Sequence, residues 1–259
     1  MTDGARLEMC IATEENDLVA AKRLRYRVFV EEFGAVGDGI DHEQQIEADS
    51  LDPWFDHLVL IDRNRDESAQ EHVVGVYRLL RGEVAMRECG FYSSSEYDLS
   101  ALIDSGRTLV ELGRSCVHRD YRASSAMFQL WRGLASYVLD NEIEIMFGVA
   151  SFHGTDIAAL AEPLAYLHRH HLAPEDMRVR ARREHYVSLD RLRDEDVDRR
   201  RAMDSIPSLI KAYLRLGGFV GDGAFIDHEF NTIDVCLVMD TERMSSRHRN
   251  YYVQHWGRQ

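Results

Sequence analysis

The chain has 259 residues, 45% of them hydrophobic and 29% charged, with a formal net charge of −14. This apolar fraction excludes a wholly disordered chain, and the length suffices for one large core or two modest ones without disulfide staples. The acid excess disfavours nucleic acid, whose phosphates need clustered cations, and no apolar run approaches the roughly 18–20 residues that span a bilayer.

The acidic start lacks the basic-then-apolar order of a signal peptide, which argues against export. Cys10, Cys89, Cys116 and Cys236 form no Cys-x-x-Cys pair. Their spacing argues against a zinc knuckle and fits reduced thiols in a cytosol. Of the 31 basic residues only Lys22 and Lys211 are lysines, an imbalance that coding bias alone can produce.

In chain order, Leu18, Ala21, Leu24, Val28 and Phe29 recur at helical spacing and predict a helix from Asp17 to Gly34. Gly34 to Asp56 is a long acidic connection, of a length that is usually functional or disordered. His57–Asp62 and Val73–Leu80 read as strands around a polar turn, and Thr108–Val117 as a third. Ser124–Asn141 reads as a helix, and the apolar run Glu144–Ala150 as a buried parallel strand, giving a βαβ unit. A helix over Thr155–His171, an Arg-rich stretch from Arg178 to Arg201, a short helix Ser208–Leu216, and strands around Phe219–Ile226 and Thr232–Met239 complete the chain. No repeat and no Pro/Gly/Ser linker divides it, so the sequence predicts one mixed α/β domain over 1–259, with an insertion at about 154–216.

The chain carries no Gly-x-Ser-x-Gly elbow, Walker loop or Gly-x-Gly-x-x-Gly run. Cys116 with His153 is a conceivable nucleophile pair, but a buried structural thiol is the better reading of Cys116. In His168-Arg169-His170-His171 adjacent residues point about 100° apart on a helix and no carboxylate sits at ligand spacing, so the cluster reads as a solvated helix end and no metal site is expected. Glu111 and Arg114 stand in an otherwise apolar strand, on opposite faces unless Gly113 permits a bulge. Such charges need partners, so the strand reads as the lining of a cleft, or else as holding a structural ion pair. His118 to Ser125 leads into a helix start that offers backbone N–H groups to an anion. Asp49, Asp52, Asp56, His57 and the in-strand Arg78 suggest a charged pocket at one end of a sheet.

This order of motifs, RYRVFVEE (Arg25–Glu32), DPWFDHLVL (Asp52–Leu60), ELGRSCVHRDYR (Glu111–Arg122), Leu130–Gly154, Ile206–Gly223 and DHEFNTID (Asp227–Asp234), resembles the GNAT acyltransferases that use acyl carrier protein. The nearer likeness, from about residue 7 to 252, is to the ornithine–acyl-carrier-protein N-acyltransferases of ornithine-lipid synthesis. The autoinducer (acyl-homoserine-lactone) synthases share the front half: their charged positions match Arg27, Asp49, Asp52, Arg78, Glu111 and Arg114. Their back half does not match. Where acetyl-CoA enzymes carry a glycine-rich pyrophosphate loop, this chain reads Arg119-Asp120-Tyr121-Arg122-Ala123-Ser124, which suits a donor bearing a single phosphodiester.

The resemblance implies a GNAT-like mixed central sheet with a splayed parallel strand pair, flanked by helices, with an inserted helical and Arg-rich segment in the C-terminal half. It implies a transferase that moves a (3-hydroxy)acyl group from acyl carrier protein to the α-amine of ornithine by direct attack. Glu111 is the candidate base, or the holder of Arg114 or Arg78. Arg27, Asp49, Asp52, Asp56 and Arg78 are candidates for the amino acid, with Asp49 and Asp52 paired to Arg27 as the structural alternative. Ser115, Cys116, Val117, Arg119, Arg122 and Ser124 are candidates for the pantetheine arm, which arrives on the carrier, so no separate cofactor is expected. Arg119, Arg122, Arg132, Arg178, Arg180, Arg182 and Arg183 are the cations available to an acidic carrier protein. The implied setting is cytoplasmic, with peripheral membrane contact open to Ile206–Leu216, although core packing is the simpler use of that face. Rival readings are another N-acyl amino-acid or homoserine-lactone synthase, and a non-catalytic carrier-binding protein on the same scaffold. Acyl chain length, the choice of ornithine over lysine or glutamine, and oligomeric state are left open by the sequence.

Overall fold

The computed structural model describes residues 6–243, so the last part of the family-like stretch, 244–252, lies outside the described residues. The chain forms two compact units, one of 6–89 with Leu112–Glu142, the other of Gly90–Glu111 with 143–243.

The first unit is a sheet packed between two helices. Its elements are β1 (Leu7–Ile11), α1 (Glu15–Arg25), β2 (Asp56–Asp62), β3 (Val73–Arg81), the C-terminal part of β4 (Leu109–Val117) and α2 (Ala126–Asp140). β1 and β2 pair antiparallel, as do β2 and β3, with a register shift between Leu60 and Ile61. Alternate side chains serve opposite faces. Val59, Ile61, Val73, Val76 and Cys116 pack with Ala20, Ala21, Leu24 and Val28. Leu60, Val74 and Val117 pack with Tyr121, Ala126 and Leu130 on the other side. Burial on both faces explains why β2 and β3 read as nearly continuous apolar runs.

The predicted helix of residues 17–34 divides in two: α1 ends at Arg25 and the chain continues as a π-helix, Tyr26–Glu32. Arg25, the last residue of α1, is buried with Ala21 and Leu24, while Arg27 in the π-helix is not, a point that matters below. The acidic connection is ordered by a two-residue hairpin, Ile40–Asp41 with Ile46–Glu47, and a 3₁₀ turn, Asp52–Trp54.

In the second unit the start of β4 pairs in parallel with β5 (Ile145–His153) over Leu109–Glu111 and Ile145–Phe147. The ladder covers these three residue pairs and ends at Glu111. β5 pairs antiparallel with a late strand, Thr232–Asp240, and that strand with Ala224–Asp227; the two are labelled β7 and β6. Helices α3 (Ala161–His171), α4 (Arg199–Ser205) and α5 (Ser208–Arg215) complete the unit.

α3 begins six residues later than the sequence predicts. Asp156 Oδ1 accepts the N–H groups of Ala158 and Ala159 at 2.9 and 3.3 Å, closing a turn first. The predicted strand at Phe219–Ile226 is broken at Gly223, whose φ of +86° is left-handed, so Phe219–Val220 and β6 are separate pieces. Ile210 and Tyr213 of α5, and Ile206 just before it, are buried in the interior. These three side chains are therefore unavailable to a membrane.

Candidate active site

The first unit holds a buried ionic network built by α1, the acidic connection, β3 and β4. Arg25, fully buried, donates from Nε to Glu47 at 2.5 Å and from Nη1 to Asp52 at 2.6 Å. Arg78 Nη1 donates to Asp49 at 2.7 Å and to Asp52 at 2.9 Å. Arg114 reaches Glu47 at 3.1 Å and Asp49 at 3.4 Å. The other Asp52 oxygen accepts the Asp49 N–H at 3.0 Å. The Arg78 guanidinium lies over the Phe55 ring, 4.0 Å from its centroid, an arrangement that favours cation–π attraction.

Three arginines thus face three carboxylates, and the charges compensate formally. Burial by itself would raise the Asp52 carboxyl, but Arg25 and then Arg78 hold it well below the usual carboxylate range. Glu47 is lowered against the same burial penalty by Arg25 and Arg114. His57 Nε2 sits 3.2 Å from the Asp52 carbonyl oxygen; burial pushes this imidazole down, and Asp52 offsets only part of that.

Two expectations are corrected by this geometry. Arg27 does not pair with Asp49 or Asp52; it binds Glu71 at 2.9 Å, and Arg25 takes the inner place. Asp56 accepts from Tyr137 Oη at 2.6 Å and lies 3.8 Å from Arg81, apart from the network of Asp49 and Asp52. Arg25 and Glu47 were missed in the sequence reading because a charged residue on the buried face of α1 and a two-residue hairpin leave no apolar pattern to read. Gly113, where the sequence suggested a bulge, is not the residue with the unusual backbone. Arg114 itself adopts φ +49°, a left-handed conformation worth about 1–3 kcal/mol of strain in an L-residue, and its two ion pairs hold it there.

Glu111 belongs to the second unit. It is 1% exposed, and its two carboxylate oxygens accept the N–H groups of Tyr92 and Ser93 at 2.8 and 2.6 Å. The carboxylate is held in one orientation by a turn that the sequence analysis left unassigned. Phe91 packs edge-on against Phe147, centroids 5.0 Å apart, and seats that turn on β5.

After β4, His118 Nδ1 accepts from the Asp120 N–H at 3.3 Å, starting a 3₁₀ turn. Arg122 donates to the Val117 carbonyl at 3.0 Å and pairs with Glu32 at 2.9 Å. Ser124 Oγ donates to Tyr121 O and accepts from Ala126 N–H, so this hydroxyl already serves the helix start. Cys116 lies in the first unit's core, and burial pushes its thiol far above the range of a useful nucleophile. His170 and His171 pack beside Tyr166, and Arg169 binds Asp190 and Asp194, so that helix end makes side-chain contacts in place of a His cluster.

Among solved structures the fold is shared with FeeM, an N-acyl amino acid synthase from uncultured soil microbes, at 14% identity and a TM-score of 0.53, over 92% of this chain and 93% of that one. It is shared equally with BjaI, a CoA-dependent acyl-homoserine lactone synthase, at 15% identity and a TM-score of 0.53, over 98% and 90%. The family model of the GNAT acetyltransferase domain matches residues 24–132. The mixed sheet with its parallel pair is that shared fold, and the domain match assigns residues 24–132 to the GNAT class.

Two relatives narrow the class. The chain is 57% identical over 247 residues to an L-ornithine N(alpha)-acyltransferase of Rhodobacter capsulatus, covering 95% of each. It is 42% identical over 248 residues to one from Brucella abortus, covering 95% of this chain and 88% of that one. With such identity across nearly the whole of both chains, this chain belongs to their family.

Proposed function

We propose that the chain transfers an acyl group from a carrier-bound thioester to the α-amine of L-ornithine, the step that opens ornithine-lipid synthesis. The observation that carries this reading is the 57% identity over 95% of both chains to a relative named for that acylation.

In the reaction, the neutral amine attacks the thioester carbonyl, a C–N bond forms, and the pantetheine thiol leaves with a proton. Glu111 is the candidate to take the amine's proton, directly or through a water. Its fixed orientation supports that role, since a base must be aimed at the proton it removes. The kinked C-terminal part of β4, Ser115 to Val117, is the candidate source of N–H donors for the developing oxyanion. Asp49 is the better candidate than Asp52 for a substrate ammonium. The Asp49 side chain is 22% exposed and that of Asp52 3%, so Asp52 reads as a lock between Arg25 and Arg78.

A panel of ornithine, lysine, glutamine and S-adenosylmethionine, offered with 3-hydroxyacyl carrier protein or the matching CoA thioester, tests the reading by mass spectrometry. Acyl-ornithine formed from the carrier is expected. A faster reaction with another amine would overturn the acceptor, and exclusive use of the CoA thioester would overturn the donor.

A further inference from the structure

Three carboxylates that the proposed reaction does not use converge in the second unit. Glu96 follows the turn Tyr92–Ser95, Asp227 ends β6, and Asp234 lies in β7. One carboxylate oxygen from each lies within 4.8 Å of the other two. Glu96 and Asp234 are 4% and 3% exposed, so water screens their repulsion poorly.

The β6–β7 hairpin explains why two of them meet. Asp227 stands opposite Thr232, and Phe225 opposite Asp234. Residues opposite one another, or two apart on a strand, share a face, so Asp227, Thr232 and Asp234 all stand on one side. Thr232 adds an independent observation. The residue is 9% exposed, and its buried Oγ1 has no hydrogen-bond partner among the described residues. A hydroxyl oxygen left unpaired in a dry site costs free energy unless something there takes its lone pairs.

We propose that Glu96, Asp227 and Asp234, with Thr232 Oγ1 as an auxiliary ligand, bind a divalent, oxygen-seeking cation of the Ca²⁺, Mg²⁺ or Mn²⁺ class. The donor set is all oxygen, which suits hard cations. Hard cations hold oxygens at about 2.0–2.6 Å, so ligands of one ion lie within about 4–5 Å of each other, and the three carboxylate oxygens lie within 4.8 Å of one another. Tyr97, buried beside the acids, donates its hydroxyl to the backbone carbonyls of Gly223 and Asp234 and so braces the hairpin from that side.

The site joins two parts of the unit that matter to Glu111. Glu96 comes directly after the turn whose Tyr92 and Ser93 N–H groups hold the Glu111 carboxylate. A cation shared by Glu96 and the hairpin ties that turn to β6 and β7. It acts by positioning, and its binding is measurable whether or not ornithine is the acceptor.

The test uses chelator-stripped full-length protein, titrated with Ca²⁺, Mg²⁺ and Mn²⁺ by calorimetry, with thermal unfolding in parallel. Asp227→Asn keeps an Oδ1 to accept from the Glu229 and Phe230 N–H groups, so the turn survives while the charge goes. Thr232→Val removes only the hydroxyl from a site of the same shape, and it carries the test if Asp227→Asn fails to fold. One bound cation per chain with a raised Tm is expected, weakened about tenfold or more in each folded variant. No heat and no Tm shift with any of the three cations would overturn the proposal, as would wild-type binding in the folded variants. Binding of ornithine in place of a metal, lost in the same variants, would overturn it too and reassign the acids to a substrate ammonium.

Discussion

Asp49 and Asp52 share Arg78, yet burial separates what they do. Asp52 is saturated by Arg25, Arg78 and the Asp49 N–H. Asp52→Asn leaves the fully buried Arg25 short of charge, and breaking such a pair costs about 3–5 kcal/mol, readable by urea denaturation. The pH dependence has a definite sign. His57 is lowered by burial, so the unfolded chain takes up protons first, and stability present above an ordinary imidazole pKa of about 6.5 is lost as pH falls below it toward the lower folded value. Asp52 and Glu47 are lowered as well, and their contribution is lost only further down, as pH falls below about 4. His57→Gln should flatten the upper limb of a Tm-against-pH curve in part, since His118 and His171 are also lowered by burial, and leave the lower limb in place. An unchanged upper limb would remove His57 from the account. For Glu111→Gln, kcat should fall about 10²–10⁴-fold per folded molecule. One of the Tyr92 and Ser93 N–H groups then faces an amide nitrogen, at a cost of about 1–3 kcal/mol. A scaffold role alone would lower stability while leaving kcat per folded molecule nearly intact.

Among the elements, the acidic connection is where the sequence was least informative. Its composition marked it as a loop, but its hairpin, Ile40–Asp41 with Ile46–Glu47, is two residues long on each side and has no periodicity to read. That hairpin delivers Glu47 to Arg25 and Arg114, and the π-helical turn leaves Arg27 to Glu71. Strands β2, β3 and β5 were legible because burial on both faces demands unbroken apolar runs. Contacts such as Glu111 with the Tyr92–Ser93 backbone were not, because a main-chain donor leaves no mark in sequence. Gly39 offers a test of the connection. A Cβ there would meet the Ala48 carbonyl oxygen, whose own N–H bonds back to Gly39 O, in the stretch between Glu47 and Asp49. Gly39→Ala should therefore lower Tm and weaken amino-acid binding together. Wild-type stability and kinetics would show that the connection can shift without disturbing the network.

For the whole molecule, a charge of −14 opposes docking of an acidic carrier protein, so the proposed association would have to rely on local cations. Arg119 and Arg122 project from the first unit near Glu32, and Arg182 from the second, where its Nε donates to Ser94 O. Arg122→Glu and Arg182→Glu, made singly, should each raise KM for the carrier at low salt and leave KM for ornithine unchanged. The difference should narrow as salt screens exposed charges. Unaltered donor kinetics would exclude these arginines from docking. Among the described residues no helix is long and apolar enough to cross a membrane.

A single-turnover reaction tests the central claim most directly. Purified protein, 3-hydroxyacyl carrier protein and ornithine are mixed, and small molecules and intact protein are both read by mass spectrometry. The account expects ornithine acylated at its α-nitrogen, free carrier thiol in equal amount, and no acyl group on the protein at any time. Loss of the carrier's acyl group without acyl-ornithine, or an acylated protein on the route to product, would contradict it.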